Sequence, residues 1–206
     1  SPSQMRSRFF LYSRSSPVWP RHAAHTRWKS TGAQTYPSIR PAPEMAARSV
    51  ALNGLTDRIR VHNIDMRDAH RAIGSGCISL AVCNPPYNKS TDPAARDGGT
   101  RIARQMDDLS IDDVAASAAR ILKYGGRFCV VYPAPRAFEM MSAMQRHNLA
   151  PKRVQTVHAR ADRPPKLILI EAVKGGGSML NWLEPLILYD ADGNHSAQWH
   201  RIYDQN

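Results

Sequence analysis

Ile78-Ser79-Leu80-Ala81-Val82-Cys83-Asn84-Pro85-Pro86-Tyr87 is the stretch on which the reading of this chain turns. Its first six residues form a short apolar run of the kind that makes a buried strand. Two prolines follow almost at once, and neither has an N–H for a ladder, so the strand must stop there. In an open α/β sheet the carboxyl ends of the strands form the ligand crevice. A stiff loop at that place presents the Asn84 side chain, the Pro85 carbonyl and the Tyr87 ring together, with Pro86 holding the loop rigid. That combination suits an amino group conjugated to a ring or a carbonyl, whose delocalised lone pair makes it a poor nucleophile. The Asn84 side-chain oxygen and the Pro85 carbonyl would accept its two N–H bonds. They would favour its pyramidal form and the positive charge that develops when the nitrogen is alkylated. Tyr87 would stack on a planar base. A bare Pro-Pro after a strand is only a rigid turn; Asn before it, Tyr after it and the apolar lead-in argue for chemistry.

Upstream, Pro43 suits the first position of a helix and Glu44 its positive end, with Asn53-Gly54 closing it. Ile59, Val61 and Ile64 then predict a short strand leading to Asp65, and Gly74-Ser75-Gly76 reads as a connecting turn. Downstream of a polar loop over residues 88–107, Ser110 and Asp113 announce a capping box. Ile111, Val114, Ala115, Ala118, Ile121 and Leu122 fall at helical spacing, and Gly125-Gly126 should stop that helix before a strand from Phe128 to Tyr132. A Met-rich helix follows to about His147, with Phe138, Met141 and Met144 expected toward the core. Lys152–His158 and Lys166–Val173 predict two strands joined by seven residues, short enough for an antiparallel hairpin. Gly175-Gly176-Gly177 reads as a flexible break, and a last apolar run, Leu186 to Tyr189, precedes an Asp192-Gly193 turn. Helices alternating with buried strands and ending in a hairpin describe a doubly wound α/β sheet.

The 206 residues carry a net charge of +11, unevenly spread. Residues 1–43 hold seven Lys or Arg and no acid, leaving 21 basic against 17 acidic residues in the remainder. The basic bias is compatible with a polyanionic partner such as RNA without being diagnostic of one. No apolar run approaches the roughly 18 residues that would cross a bilayer. The three cysteines, Cys77, Cys83 and Cys129, lack metal-ligand spacing, and the latter two sit in apolar runs as buried thiols, which suits a reducing cytoplasm. His22 and His25 lack carboxylate or cysteine company, so no metal is expected.

The strand followed by Asn84-Pro85-Pro86-Tyr87 resembles the signature of the class I S-adenosylmethionine-dependent amino-methyltransferases. Within that group the chain is most similar to the bacterial tRNA(Val) adenine-N6 methyltransferase family. The segments that carry the resemblance are Pro43–Leu55, Asp65-Met66-Arg67-Asp68, Asn84–Lys89, Arg101-Ile102-Ala103-Arg104, Leu122–Phe128, Lys166–Gly176 and Glu184–Gly193. The resemblance implies a Rossmann-like sheet of seven strands and S-adenosyl-L-methionine as cofactor. It also implies a tRNA substrate modified at the adenine beside the anticodon. By the same resemblance Asp65 contacts the adenine of the cofactor, Asn84 lies against both cofactor and target nitrogen, and Arg101 and Arg104 are candidate contacts to RNA phosphates.

The family pattern also places a strand, an Asp-x-Gly-x-Gly-x-Gly loop and an acid-ended second strand ahead of Pro43, and this chain lacks them. Residues 1–42 contain one glycine, Gly32, and no carboxylate, and Arg40 stands where the ribose-binding acid belongs. The expected organisation is therefore residues 1–42 as coil foreign to the fold, and 43–206 as a catalytic domain incomplete at its N-terminal side. Two other readings are a protein glutamine N5-methyltransferase, which uses the same tetrapeptide on an amide, and a catalytically dead RNA-binding remnant. Guanine-N2 RNA methyltransferases are a further neighbour.

Overall fold

The computed structural model describes residues 42–85 and 109–203. These fall in two compact units, one ending at Asn63 and one beginning at Ile64. The expected boundary at residues 42–43 lies at the edge of the described residues.

In the first unit, helix α1 spans Ala42–Leu52 with Glu44 in its first turn. Gly54 closes it at φ 63°, a left-handed conformation that glycine enters without a Cβ penalty. The Leu55 N–H returns to the Val50 carbonyl at 3.0 Å. The strand expected over Ile59, Val61 and Ile64 does not form; residues 59–64 ladder with no described strand. An apolar alternation makes a strand only when a neighbour takes up its N–H and C=O groups.

The second unit opens with a 3-10 turn, Met66–Asp68, and helix α2, Ala69–Ile73. The turn at Gly74–Cys77 then delivers the chain to β1, Ile78–Cys83. Helix α3 (Ile111–Ile121), β2 (Leu122–Pro133), α4 (Ala137–Arg146), β3 (Leu149–His158) and β4 (Leu167–Lys174) follow. Two short strands, β5 (Asn181–Trp182) and β6 (Leu186–Ile187), and helix α5 (Ala197–Tyr203) complete the described chain. The sheet order is β1-β2-β4-β3-β5, with β6 also on β3. β1 and β2 are parallel, and β4 inserts antiparallel between β2 and β3 as the predicted hairpin requires. Two antiparallel steps make β3 point the same way as β1, so their carboxyl ends share one edge of the sheet.

The core lies on one sheet face. Phe128, Val130 and Tyr132 of β2 and Ile168, Ile170 and Ala172 of β4 alternate into it, as the period of a strand demands. Val114, Ala115, Ala118 and Ile121 of α3 cover them, with Met140, Ala143 and Met144 of α4. The predicted capping box is present: Ser110 Oγ accepts the Asp113 N–H, and Asp113 accepts the Ser110 N–H, each at 3.0 Å. Lys174 Nζ caps the other end of α3, donating to the carbonyls of Ala119 and Leu122 at 2.6 and 2.7 Å.

Three expectations are corrected. Helix α3 ends at Ile121, not at the glycines; Leu122 is already extended and Gly125-Gly126 lie inside β2. There the register with β1 jumps from Ile78↔Leu122 to Leu80↔Arg127, and the extra residues bulge out with Gly125 at φ 72°. Phe138 is 84% exposed, because Met140, Ala143 and Met144 set the buried stripe of α4 and residue 138 lies about 200° from Met140. Gly175–Gly177 is not a loose break. Gly175 packs under the Tyr124 ring, the Tyr124 hydroxyl donates to its carbonyl at 3.1 Å, and Lys152 Nζ donates to the Gly177 carbonyl. Glycine suits position 175 because its φ of 70° is one that other residues rarely adopt.

Candidate active site

β1 stops at Cys83, where the two prolines require it to stop. Asn84 follows, exposed, and Pro85 is buried beneath it. Pro86, Tyr87, Arg101 and Arg104 lie outside the described residues. Cys83 and Cys129 are buried as expected, and burial pushes both thiols up to about 12, far from a reactive thiolate. Cys77 is exposed, its Sγ 3.3 Å from the Ile73 carbonyl.

Asp65 is 6% exposed and caps the helical return into β1. Its Oδ1 accepts the Arg67 backbone N–H at 2.9 Å and Arg67 Nε at 3.0 Å, while Oδ2 accepts Arg67 Nη2 at 2.8 Å. A buried carboxylate needs such partners to remain charged. The guanidinium is half exposed, so a ligand amino group replacing it would meet an acceptor already buried and oriented.

Asp65 and Asn84 belong to one unit and flank the helix–turn–strand segment from Met66 to Cys83. The eight helical residues from Met66 to Ile73 span roughly 12–16 Å, and six-residue β1 roughly 20 Å. Both elements meet at the Gly74–Cys77 turn, and Asp65 and Asn84 lie at the ends away from it. Asn84, directly after β1, stands on the carboxyl edge of the sheet. Arg136, at the carboxyl end of β2, lies on that edge as well, its guanidinium 5.4 Å over the Tyr132 ring and paired with Glu139 at 2.8 Å.

Two polar features were not foreseen from the sequence. Cys129, Glu171 and Arg153 are cross-strand neighbours on the sheet face opposite the core. Glu171, 7% exposed, lies 3.9 Å from Arg127 and 3.8 Å from Arg153. The only sequence signal was one acid in an apolar run, and its partners come from other strands. Second, Tyr189, His195, Trp199 and Tyr203 stack in a column. Here the four-residue spacing of 195, 199 and 203 was a readable sign. Among the described residues no group of three or more His, Cys, Asp or Glu is placed to hold a metal ion, and no helix is long and apolar enough to cross a membrane.

A parallel strand pair extended by an antiparallel insertion, with an Asn-Pro turn at the carboxyl end of its first strand, is the fold of the class I methyltransferases. A predicted O-methyltransferase from Agrobacterium tumefaciens superposes with a TM-score of 0.62 over 79% of this chain and 72% of its own, at 18% identity. The chain is also related in sequence to bacterial proteins named tRNA1(Val) (adenine(37)-N6)-methyltransferase. It is 33% identical over 130 residues to the one from Phocaeicola vulgatus, covering 63% of this chain and 53% of the relative. It is 30% identical over 166 residues to the one from Dickeya chrysanthemi, covering 78% and 64%. The chain thus spans between about half and two thirds of the length of these relatives. No protein-family model matches it.

Proposed function

We propose that this chain is the catalytic part of an S-adenosylmethionine-dependent methyltransferase acting on N6 of an adenine in tRNA. What supports this reading is the end of β1, where Asn84-Pro85 stands on the carboxyl edge of the sheet, together with the buried carboxylate of Asp65 in the same unit. The names of the relatives support the choice of base, adenine 37 of tRNA1(Val), over an amide of a protein.

S-adenosylmethionine, when bound, supplies an electrophilic methyl group on a sulfonium. The chain's own residues do the positioning. Asp65 fits the adenine amino group of that cofactor, with Arg67 holding the carboxylate until it arrives. The Asn84 side-chain oxygen and the Pro85 carbonyl accept the N–H bonds of the target and stabilise the charge that grows on nitrogen. Tyr87 stacks on the base, which must be splayed out of the folded RNA to reach the edge. Arg101 and Arg104 bind RNA phosphates. Holding nitrogen and methyl in line carries much of the rate. The enzyme works in the cytoplasm.

A second reading, a remnant that binds RNA without transferring methyl, is favoured by the glycine-poor, acid-free residues 1–42. One experiment separates the readings. A tritiated methyl donor is offered with tRNA and, separately, with a glutamine-bearing protein substrate. The enzyme is the chain itself or a chimera carrying a relative's glycine-loop strand ahead of Pro43. Label in N6-methyladenine from the chimera is expected; label in the protein, or none anywhere, overturns the proposal.

A further inference from the structure

Asp65 is a buried acid held in two ways, and the two holds differ in kind. The first belongs to the backbone. Asp65 Oδ1 accepts the Arg67 N–H at 2.9 Å, the capping bond that opens the 3-10 turn Met66–Asp68. The second belongs to a side chain. Arg67 Nε donates to Oδ1 at 3.0 Å and Nη2 to Oδ2 at 2.8 Å, a fork that spans both carboxylate oxygens.

Exposure gives the fork a direction. The Asp65 side chain is 7% exposed and that of Arg67 is 49% exposed. The guanidinium therefore stands between the carboxylate and solvent, and a ligand arriving at Oδ2 meets Arg67 first.

The two holds also differ in how easily they move. The Arg67 backbone is fixed by the helices around it. Its carbonyl accepts from Arg120 Nη1 of α3 at 3.5 Å and lies 3.2 Å from His70 Nδ1 of α2. The Asp68 N–H closes the turn on the Asp65 carbonyl at 2.9 Å. The Arg67 side chain is long, flexible and half in water, and an ion pair so open to solvent is weak enough to exchange. When the guanidinium swings away, the backbone N–H stays on Oδ1, so the carboxylate keeps its orientation. What can take the place of the fork is set by the acid itself. An ionised carboxylate only accepts, so the incoming group must bring its own N–H or O–H. The exocyclic amino group of an adenine does so.

We infer that Arg67 is an autoinhibitory latch on Asp65, closing the carboxylate against solvent and yielding to a purine that carries an amino donor. The latch rests on the proposed role of Asp65 as acceptor for the adenine of the cofactor, and adds a cost to it. Each cofactor molecule that binds must open the fork, so Arg67 lowers the affinity of the site.

Calorimetric titration of the full 206-residue chain with S-adenosylhomocysteine tests this. Arg67→Met, similar in bulk but without a donor, should bind about fivefold more tightly, because a larger fraction of chains has the carboxylate open. In an Asp65→Ala background there is no fork to open, and the same substitution should change affinity by less than about twofold. A merely structural Arg67 would weaken binding in both backgrounds. Should Arg67→Met fail to fold, Arg67→Lys keeps the charge, lacks the fork and should tighten binding about twofold. Equal or weaker binding by both variants overturns the latch. The analogue with hydrogen in place of the exocyclic amino group reports on Asp65 itself. If the unaltered and Arg67→Met chains bind it as tightly as S-adenosylhomocysteine, Asp65 is not the acceptor, and the latch falls with that role. If they prefer the amino form and Arg67→Met gains nothing, the latch alone falls. No binding of either ligand by any variant overturns both.

Discussion

Asn84 and Gly126 show how differently single residues act in this chain. Asn84 stands exposed where β1 has been cut short by proline. In a chimera with the glycine loop supplied, Asn84→Ala should therefore leave stability and tRNA affinity intact. Methyl transfer should fall about 10²–10³-fold, the usual cost of one lost charge-stabilising hydrogen bond. Retention of more than about a tenth of the rate would remove Asn84 from the chemistry. Gly126 is the opposite case. A Cβ there would stand 2.7 Å from the Lys123 carbonyl oxygen and 3.1 Å from that of Ile78, both backbone atoms of the bulge. Gly126→Ala should cost about 1–3 kcal/mol in denaturant unfolding. An unchanged midpoint would mean that the bulge yields more easily than its packing suggests.

At the scale of elements, helix α4 tests whether a helical phase can be read from composition. Five large apolar residues, Phe138, Met140, Met141, Met144 and Leu149, crowd its region, and period alone allows more than one stripe. The strand faces beneath it select the stripe containing Met140, Ala143 and Met144, and Phe138 turns to solvent. Met140→Ala is expected to destabilise by about 2–5 kcal/mol, since it empties a wholly buried site. Phe138→Ala should change stability by less than about 0.5 kcal/mol. Equal losses in thermal melts would refute the phase. The ion pair that ties α4 to α3 has its own pH signature. Hydrogen bonds from Arg146 hold the Asp112 carboxyl below its ordinary value, with His147 adding to the effect. A depressed carboxylate stabilises the fold above its unfolded pKa and loses that contribution as pH falls through the folded value. The pair is half exposed, so solvent screening keeps the effect small.

For the whole molecule, the edge of β1 and the lack of a glycine loop in the 206 residues bear on the same function. Among the described residues β1 pairs only with β2, leaving its other edge without a ladder. Each buried backbone group left without a partner costs about 1–3 kcal/mol, against a total domain stability of about 5–15 kcal/mol. The 206 residues contain no glycine loop that would let the backbone approach a cofactor, and Arg40 offers no acceptor to ribose hydroxyls. The chain by itself should therefore bind S-adenosylmethionine weakly, and titration calorimetry checks this. A dissociation constant in the low micromolar range would show that residues 1–42 supply what the glycine loop supplies elsewhere.

The sequence by itself determined the features whose cause is local. Two prolines end β1, a Ser–Asp pair caps α3, alternation marks β2 and β4, and a seven-residue link joins β3 to β4 as a hairpin. Each follows from a missing N–H, a side chain within reach of its own backbone, or a short closure. Only the tertiary structure decided the rest, because its causes lie on other strands. Residues 59–64 stay irregular for want of a laddering neighbour, and Gly125-Gly126 become a bulge because Ile78 sets the register. Glu171 is tolerated because Arg127 and Arg153 flank it from the strands on either side. The carboxyl edge shared by β1 and β3 exists only once β4 has inserted between β2 and β3. Periodicity reports which face a residue takes within its own element; which element comes to lie beside it is set by packing between segments far apart in the chain.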